Sequence, residues 1–268
     1  MSLLVVEHLS KGFGGVRAID DLSFEVPART VFSIIGPNGA GKTTLLNLMT
    51  GIYEPDAGRI RLAGQDLTGQ PTHRWAAAGL GRTFQNLQVF FNMSALENVM
   101  TGRHLHENTA LVPAIFRLPA LRRAEALNRA QAEALMERVG LGAWIDAAAD
   151  AMPYGALKRL EIARALAAEP KLLLLDEPAA GLNQTEAHEI DALIRELARG
   201  GMTVVLVEHN MRLVMEVSDR VLVLERGARL AEGTPAEVAH DPRVIEAYLG
   251  AEAQAQATAD TAAEVTHA

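Results

Sequence analysis

The chain has 268 residues, 49% of them hydrophobic, which is enough for a sizeable core in one large or two small domains. It contains no cysteine, which excludes disulfides, thiolate metal sites and cysteine nucleophiles. A formal net charge of −8 argues against a general nucleic-acid binder, which needs a basic face to displace counterions.

The opening stretch, MSLLVVEHLSKGF, lacks the basic start and the long apolar run of a secretory signal. No run approaches the ~20 apolar residues that span a bilayer. The chain is therefore expected to be soluble and cytoplasmic, working at a membrane only through a partner. Residues 3–9 and 17–26 read as strands; in LSFEV, Leu22, Phe24 and Val26 alternate with polar or small neighbours. VFSII, 31–35, is a short, nearly continuous apolar run before a glycine, which suits a strand buried on both faces. GRIRLAGQDL, 58–67, suggests an edge strand with Ile60 and Leu62 facing one way.

From about 92 to 168 the strand signal disappears. LRRAEALNRAQAEALMERVGL, 121–141, carries Leu127, Ala130, Ala134, Leu135 and Val139 near helical spacing, with Gly140 as a stop. KLLLLDEP, 171–178, and TVVLVEHN, 203–210, restore buried-strand character, and DRVLVLERGARLAEG, 219–233, reads as a hairpin turning at Arg226-Gly227. Strands, inserted helices and strands again imply an α/β parallel-sheet core interrupted by a helical subdomain. The tail, 251–268, is Ala-rich with Val265 its one large apolar residue, and is expected to be disordered, a short helix being the alternative.

GPNGAGKTT, 36–44, matches G-x-x-x-x-G-K-[ST] through Gly36, Gly41, Lys42 and Thr43. Pro37, Asn38, Gly39 and Ala40 fill the loop, and Thr44 begins the following helix. Strand, loop and helix stand in the order that the motif needs. Glycines let the backbone wrap a phosphate chain, and successive N–H groups at a helix start attract its charge. Lys42 would reach the β- and γ-phosphates, and the Thr43 hydroxyl would bind Mg²⁺. Asp176 follows four leucines, at the strand end where open α/β sheets bind ligands. It would orient Mg²⁺ through water. Glu177 beside it would polarise the attacking water. An acid after an apolar run also marks ordinary strand ends; the phosphate loop tips the reading toward function.

His209 follows VVLVE, and a phosphate contact is favoured over a structural histidine. Gln85, in GRTFQN, follows a strand-like run and would bind Mg²⁺ or water; without the other motifs a solvated amide is the better reading. Phe13 would stack on adenine, although by itself it reads as a core or turn aromatic.

The ordered set Phe13, GPNGAGKTT, Gln85, YGALKRLEIARAL, LLLLDEP, GLN and His209 resembles the ATP-binding subunit of ABC transporters from about residue 3 to 250. GRTFQNLQVFFNMSALENVMTGRH, DEPAAGLN and DPRVIEAYLG resemble more narrowly the ATPases of high-affinity branched-chain amino acid importers. The resemblance implies a P-loop NTPase core with an N-terminal antiparallel β subdomain and an inserted helical subdomain, 1–250 forming one ATPase domain. It implies ATP and Mg²⁺ as ligands, Mg²⁺ being held by Thr43, Gln85 and Asp176. It makes Glu177 the general base, His209 the γ-phosphate switch, Gln85 the sensor facing the membrane subunits and Gly155 a contact to ATP on the opposite subunit. It implies a second ATPase subunit, transmembrane permease subunits and an extracytoplasmic solute-binding protein as partners, no nucleic acid, and a peripheral position on the inner face of the membrane.

Three positions depart from the family pattern. Pro153 replaces the signature serine, Ala156 its glutamine, and Asn183 the aspartate after the catalytic strand. Pro153 is expected at the first helical position, where its missing N–H costs nothing. Val89, Phe90, Phe91 and Met93 are expected to divide between core and an apolar docking patch for the membrane subunit. Alternatives are an ABC ATPase moving lipid or another solute, a soluble P-loop kinase, and a non-transport ABC protein. A kinase needs neither Glu177, His209 nor the signature-like helix. Non-transport ABC proteins usually carry paired cassettes or a long coiled-coil insertion.

Overall fold

The structure is a computed structural model that describes residues 1–104 and 119–248; the tail expected to be disordered, 251–268, lies outside them. The strands are β1 (Ser2–Phe13), β2 (Val16–Pro27), β3 (Val31–Ile35), β4 (Ala57–Leu62), β5 (Gln65–Asp66), β6 (Leu80–Arg82), β7 (Leu172–Asp176), β8 (Thr203–Val207), β9 (Arg220–Glu225) and β10 (Ala228–Gly233). The helices are α1 (Lys42–Leu48), α2 (Thr72–Ala78), α3 (Ala95–Gly102), α4 (Pro119–Arg138), α5 (Tyr154–Ala167), α6 (Gln184–Arg199), α7 (Met211–Val217) and α8 (Pro235–Ala239). They fall into two compact units, one of residues 1–72 and 203 onward, the other of residues 73–202.

In the first unit β2, β1, β4 and β5 form an antiparallel sheet in that order. β1 and β2 run beyond their alternating cores because Lys11, Gly12 and Phe13 still pair with Ile19, Arg17 and Val16 after register shifts. The stretch 58–67 is not a single edge strand. Ala63 and Gly64 take φ of 50° and 81°, making a two-residue turn that folds β5 onto β4. β4 is therefore interior and the two-residue β5 takes the edge. Ile60 and Leu62 are both fully buried, as their spacing requires.

β3 pairs in parallel with β8 on one side and with β9 on the other. All five residues of β3 and of β8 are buried, which accounts for runs that are apolar but for Ser33 and Thr203. β9 turns into β10 at Arg226 and Gly227, with φ of 48° and 82°, at the position read from the sequence. Below this sheet Ile35, Val214, Val221, Val223, Val238 and Val244 form one core cluster, with Tyr248 packed on it.

In the second unit β6 and β7 pair in parallel, and β7 is buried throughout. The zone from about 92 to 168 is helical among the described residues, its one β contact being the bridge between Ser94 and Ala148. α4 buries Asn128, Ala132 and Met136, and Val139 beyond its end is also buried. Leu127 is 60% exposed, and Ala130 and Ala134 face solvent. The inward stripe is thus offset by one or two positions from the aliphatics that the sequence pattern favours.

α5 begins one residue later than expected. Pro153 has an extended ψ of 156° and is the N-cap, and Tyr154 is the first helical residue. The Pro153 carbonyl accepts the first helical bond, from the Leu157 N–H at 3.0 Å, and no side chain caps the helix. α6 is capped reciprocally by Asn183 and Glu186. The amide oxygen of Asn183 does here what an aspartate would do.

Candidate functional site

The first unit contributes the phosphate loop. β3 delivers the chain into residues 36–41, and α1 starts at Lys42. Gly41 is the α1 N-cap at φ 102°, and an ideal Cβ there would lie 2.6 Å from the Ala18 carbonyl oxygen. Only glycine satisfies both the backbone angle and that close approach. No side chain caps α1, and its first turn carries no acid, so no carboxylate of that turn competes for its first N–H groups. The Lys42 ammonium donates to the carbonyls of Gly36 at 2.7 Å and Pro37 at 3.1 Å, which keeps it at the loop mouth.

Phe13 ends β1 and is 43% exposed. It is not a core aromatic. Its ring meets Tyr53 edge-on at 5.2 Å between centroids, and the Lys11 ammonium lies 5.4 Å from it. A rigid, half-open aromatic face suits a planar base. His209 follows β8, with its side chain 63% exposed and its backbone N–H donating to the buried Glu208 carboxylate.

The second unit brings Asp176, Glu177 and Gln85 together. Asp176 is the last residue of β7, and its carboxylate receives the Arg82 guanidinium at 3.2 Å, with both side chains nearly buried. Burial pushes the Asp176 carboxyl up; Arg82 opposes that rise and Glu177 adds to it. Glu177 takes φ 47°, a left-handed conformation that a non-glycine residue holds only when its surroundings impose it. The Gln85 amide donates to the Glu177 carboxylate at 2.9 Å, so two residues distant in sequence meet. Gly155 is buried in the first turn of α5, and an ideal Cβ there would sit 2.5 Å from the Glu186 carboxylate.

Sequence reasoning missed several residues that hold this group. Arg82 has no motif signal beyond its place before Gln85. Lys158 and Glu161 lie inside an amphipathic stretch, yet each is only 2% exposed. Asn98 is 1% exposed and grips the Phe90 backbone from both sides, accepting its N–H at 2.8 Å and donating to its carbonyl at 3.0 Å. The Phe90 ring, 47% exposed, is thereby displayed. Phe91 is 49% exposed, and neither Val89 nor Met93 is fully buried, so the expected division between core and patch does not hold: none of the four is a buried core residue. Phe84, Phe90 and Leu87 line a groove with Arg82 and Arg164, and the Arg164 guanidinium stands 5.4 Å from the Phe90 ring.

The ABC transporter family model matches residues 19–180, and the model for the branched-chain amino acid ATP-binding cassette transporter matches residues 228–254. The high-affinity branched-chain amino acid transport ATP-binding protein BraF of Pseudomonas aeruginosa is 44% identical over 249 residues, covering 92% of this chain and 98% of that protein. LivG of Escherichia coli K12, which carries the same description, is 43% identical over the same shares of both chains. A solved ATP-binding cassette of an ABC transporter in its ADP conformation superposes with a TM-score of 0.80 at 32% identity, covering 93% of this chain and 99% of the other. With a family model spanning more than half of its length and relatives aligned over nearly all of it, the chain belongs to the ABC transporter ATPase family.

Proposed function

We propose that this chain is the ATP-hydrolysing motor subunit of an importer for branched-chain or related amino acids, with residues 1–250 as its ATPase domain and about 92–168 as the inserted helical subdomain. The observation that carries the hydrolytic reading is Glu177. It is held in a strained conformation directly after the buried Asp176, and its carboxylate is bonded to Gln85. The amino acid reading is supported by the descriptions of the relatives and by the family match at 228–254.

In this reading the adenine rests on Phe13, the loop 36–44 wraps the phosphates, and Lys42 pairs with the β- and γ-phosphate charge. Glu177 takes a proton from a water whose oxygen forms a bond to the γ-phosphorus. The bond from that phosphorus to the β,γ-bridging oxygen breaks, and ADP leaves with the electron pair. His209 contacts the γ-phosphate. Thr43, Gln85 and Asp176 offer hydroxyl, amide and carboxylate oxygens, a hard donor set that fits Mg²⁺, which retains waters and phosphate oxygens beside few protein ligands. Bound there, Mg²⁺ neutralises developing phosphate charge. Gly155 contacts ATP held by a second ATPase subunit.

No described helix is long and apolar enough to cross a membrane. The groove at Phe84 and Phe90 is the surface for a cytoplasmic helix of the permease, which would hold the subunit on the inner face of the membrane; a solute-binding protein delivers substrate from outside. The test is ATP turnover by the purified chain without any phosphate acceptor, followed by leucine uptake into vesicles carrying the chain with its permease. Turnover that requires an acceptor would indicate a kinase. Uptake of another solute class with none of leucine would refute the amino acid assignment.

A further inference from the structure

We propose that Lys158 and Glu161 are positioning residues that fasten the Gln85 loop to α5, so that the placement of Gln85, and through it of Glu177, is set by the helix that starts at Gly155. The idea rests on the hydrolytic reading of Glu177 and adds to it two side chains to which the sequence assigned no role.

The two residues stand three apart on α5 and are each 2% exposed. Burying an ammonium and a carboxylate is costly unless both are paired and hydrogen-bonded. The partners that offset the cost lie on the loop. The Lys158 ammonium donates to the Gln85 carbonyl at 2.9 Å. The Glu161 carboxylate accepts the Phe84 N–H at 3.1 Å and is also bonded by the Gln88 backbone. Three backbone groups within residues 84–88 are thus held by two side chains from one face of one helix. The Gln85 amide, at the centre of this grip, reaches the Glu177 carboxylate at 2.9 Å.

Direct contacts therefore run from α5 through the loop to the proposed base. Gly155 lies one turn before Lys158 on the same helix. A shift of α5 when Gly155 engages a nucleotide would carry the loop with it, because the loop backbone is bonded to the helix at three points rather than merely resting on it. Burial raises the Glu161 carboxyl above its ordinary range, and the loop N–H bonds and Lys158 oppose that rise. The grip and the charge state of Glu161 are thus mutually supporting.

The experiment uses the full chain. In the wild type, amide exchange at residues 84 and 88 is expected to be as slow as in the middle of α5; exchange at the rate of an open loop overturns the proposal without any variant. Glu161→Gln and Lys158→Met are then compared for ATP affinity, kcat and exchange. ATP affinity should stay within about twofold, kcat should fall about tenfold or more, and residues 84–88 should exchange faster. In a Gln85→Ala background, Glu161→Gln should cost no further kcat. A full additional loss there, or a loss of affinity in step with kcat, shows that Glu161 acts by another route and sinks the idea. If Glu161→Gln does not fold, Lys158→Met, which leaves the Glu161 bonds in place, gives the same readouts. Glu177→Gln separates the two readings: retained turnover removes the base assignment, while amide exchange still reports the grip.

Discussion

Pro153→Ser tests what the altered start of α5 does. As the N-cap, a serine would accept a hydrogen bond from an N–H of the first turn, for which Pro153 offers no side-chain oxygen. Such caps contribute about 0.5–2 kcal/mol. Removing proline also frees the unfolded chain, which costs about 0.4–1 kcal/mol. The net change is about −0.5 to +1.6 kcal/mol, a shift of no more than a few degrees in melting temperature. The serine O–H remains a donor while its oxygen caps the helix. Toward a phosphate on a second subunit, a bond to a charged acceptor is worth about 1.5–3 kcal/mol before water recovers part of it. The ATP-bound dimer should tighten by up to about tenfold, or ~1.4 kcal/mol. Light scattering of the dimer against ATP concentration, in a Glu177→Gln background, measures this. Unchanged or weaker association, with the fold intact, would show that the serine does nothing for the nucleotide. The reasoning about the missing hydroxyl would then fail.

Lys42→Ala should weaken ATP binding in equilibrium dialysis and abolish hydrolysis, whereas Glu177→Gln should bind ATP normally and lose about a hundredfold or more in turnover; wild-type turnover in Glu177→Gln removes the base assignment. Phe90→Asp should leave basal ATPase activity intact and abolish co-purification with the permease, since Asn98 fixes the backbone and only the displayed ring changes; an intact complex places the docking surface elsewhere. Leu174→Ala, in a strand buried on all sides, should lower stability to denaturant by about 2–5 kcal/mol. Glu97 and Glu237 sit in capping boxes that hold their carboxyls below the ordinary 4.5, through the N–H groups of Ser94 and Thr234. The folded value lies below the unfolded one, so their contribution is complete above about pH 4.5 and is lost as the pH falls through the lowered values. Glu97→Gln with Glu237→Gln should flatten the acid limb of the melting profile, and an unchanged limb would count against the caps.

The buried strands were legible because burial on both faces leaves a nearly continuous apolar run, as in VFSII and TVVLV. The turn at Arg226-Gly227 was legible from its residue types. The inward face of α4 was not, because Asn128 and Ala132 take buried places that hydrophobicity assigns to Leu127 and Ala130. The end of β4 at Ala63 was hidden because an alanine there adopts a positive φ. Among the site residues, those tied to local grammar were readable: the phosphate loop, the acid pair ending a strand, the glutamine after one. Arg82, Asn98, Lys158 and Glu161 were not. Their partners are backbone groups or a carboxylate brought near only by folding, and a buried lysine looks in sequence like a solvated one.

The fit around Gly41 also has a temporal side. The Gly227 carbonyl accepts the Asp20 N–H at 3.0 Å, and the Gly227 N–H donates to the Ala40 carbonyl at 3.0 Å. The turn between β9 and β10 thus clasps both the phosphate loop and β2. Roughly 190 residues separate that turn from the loop, which at typical translation speeds is about 10–40 s of synthesis. Throughout that interval a nascent chain carries the complete phosphate-loop sequence without the clasp that shapes it. Nucleotide capture should therefore switch on late in translation, after Gly227 has left the ribosome, and a chain stalled before that point should hold ATP poorly although every residue of the loop is present.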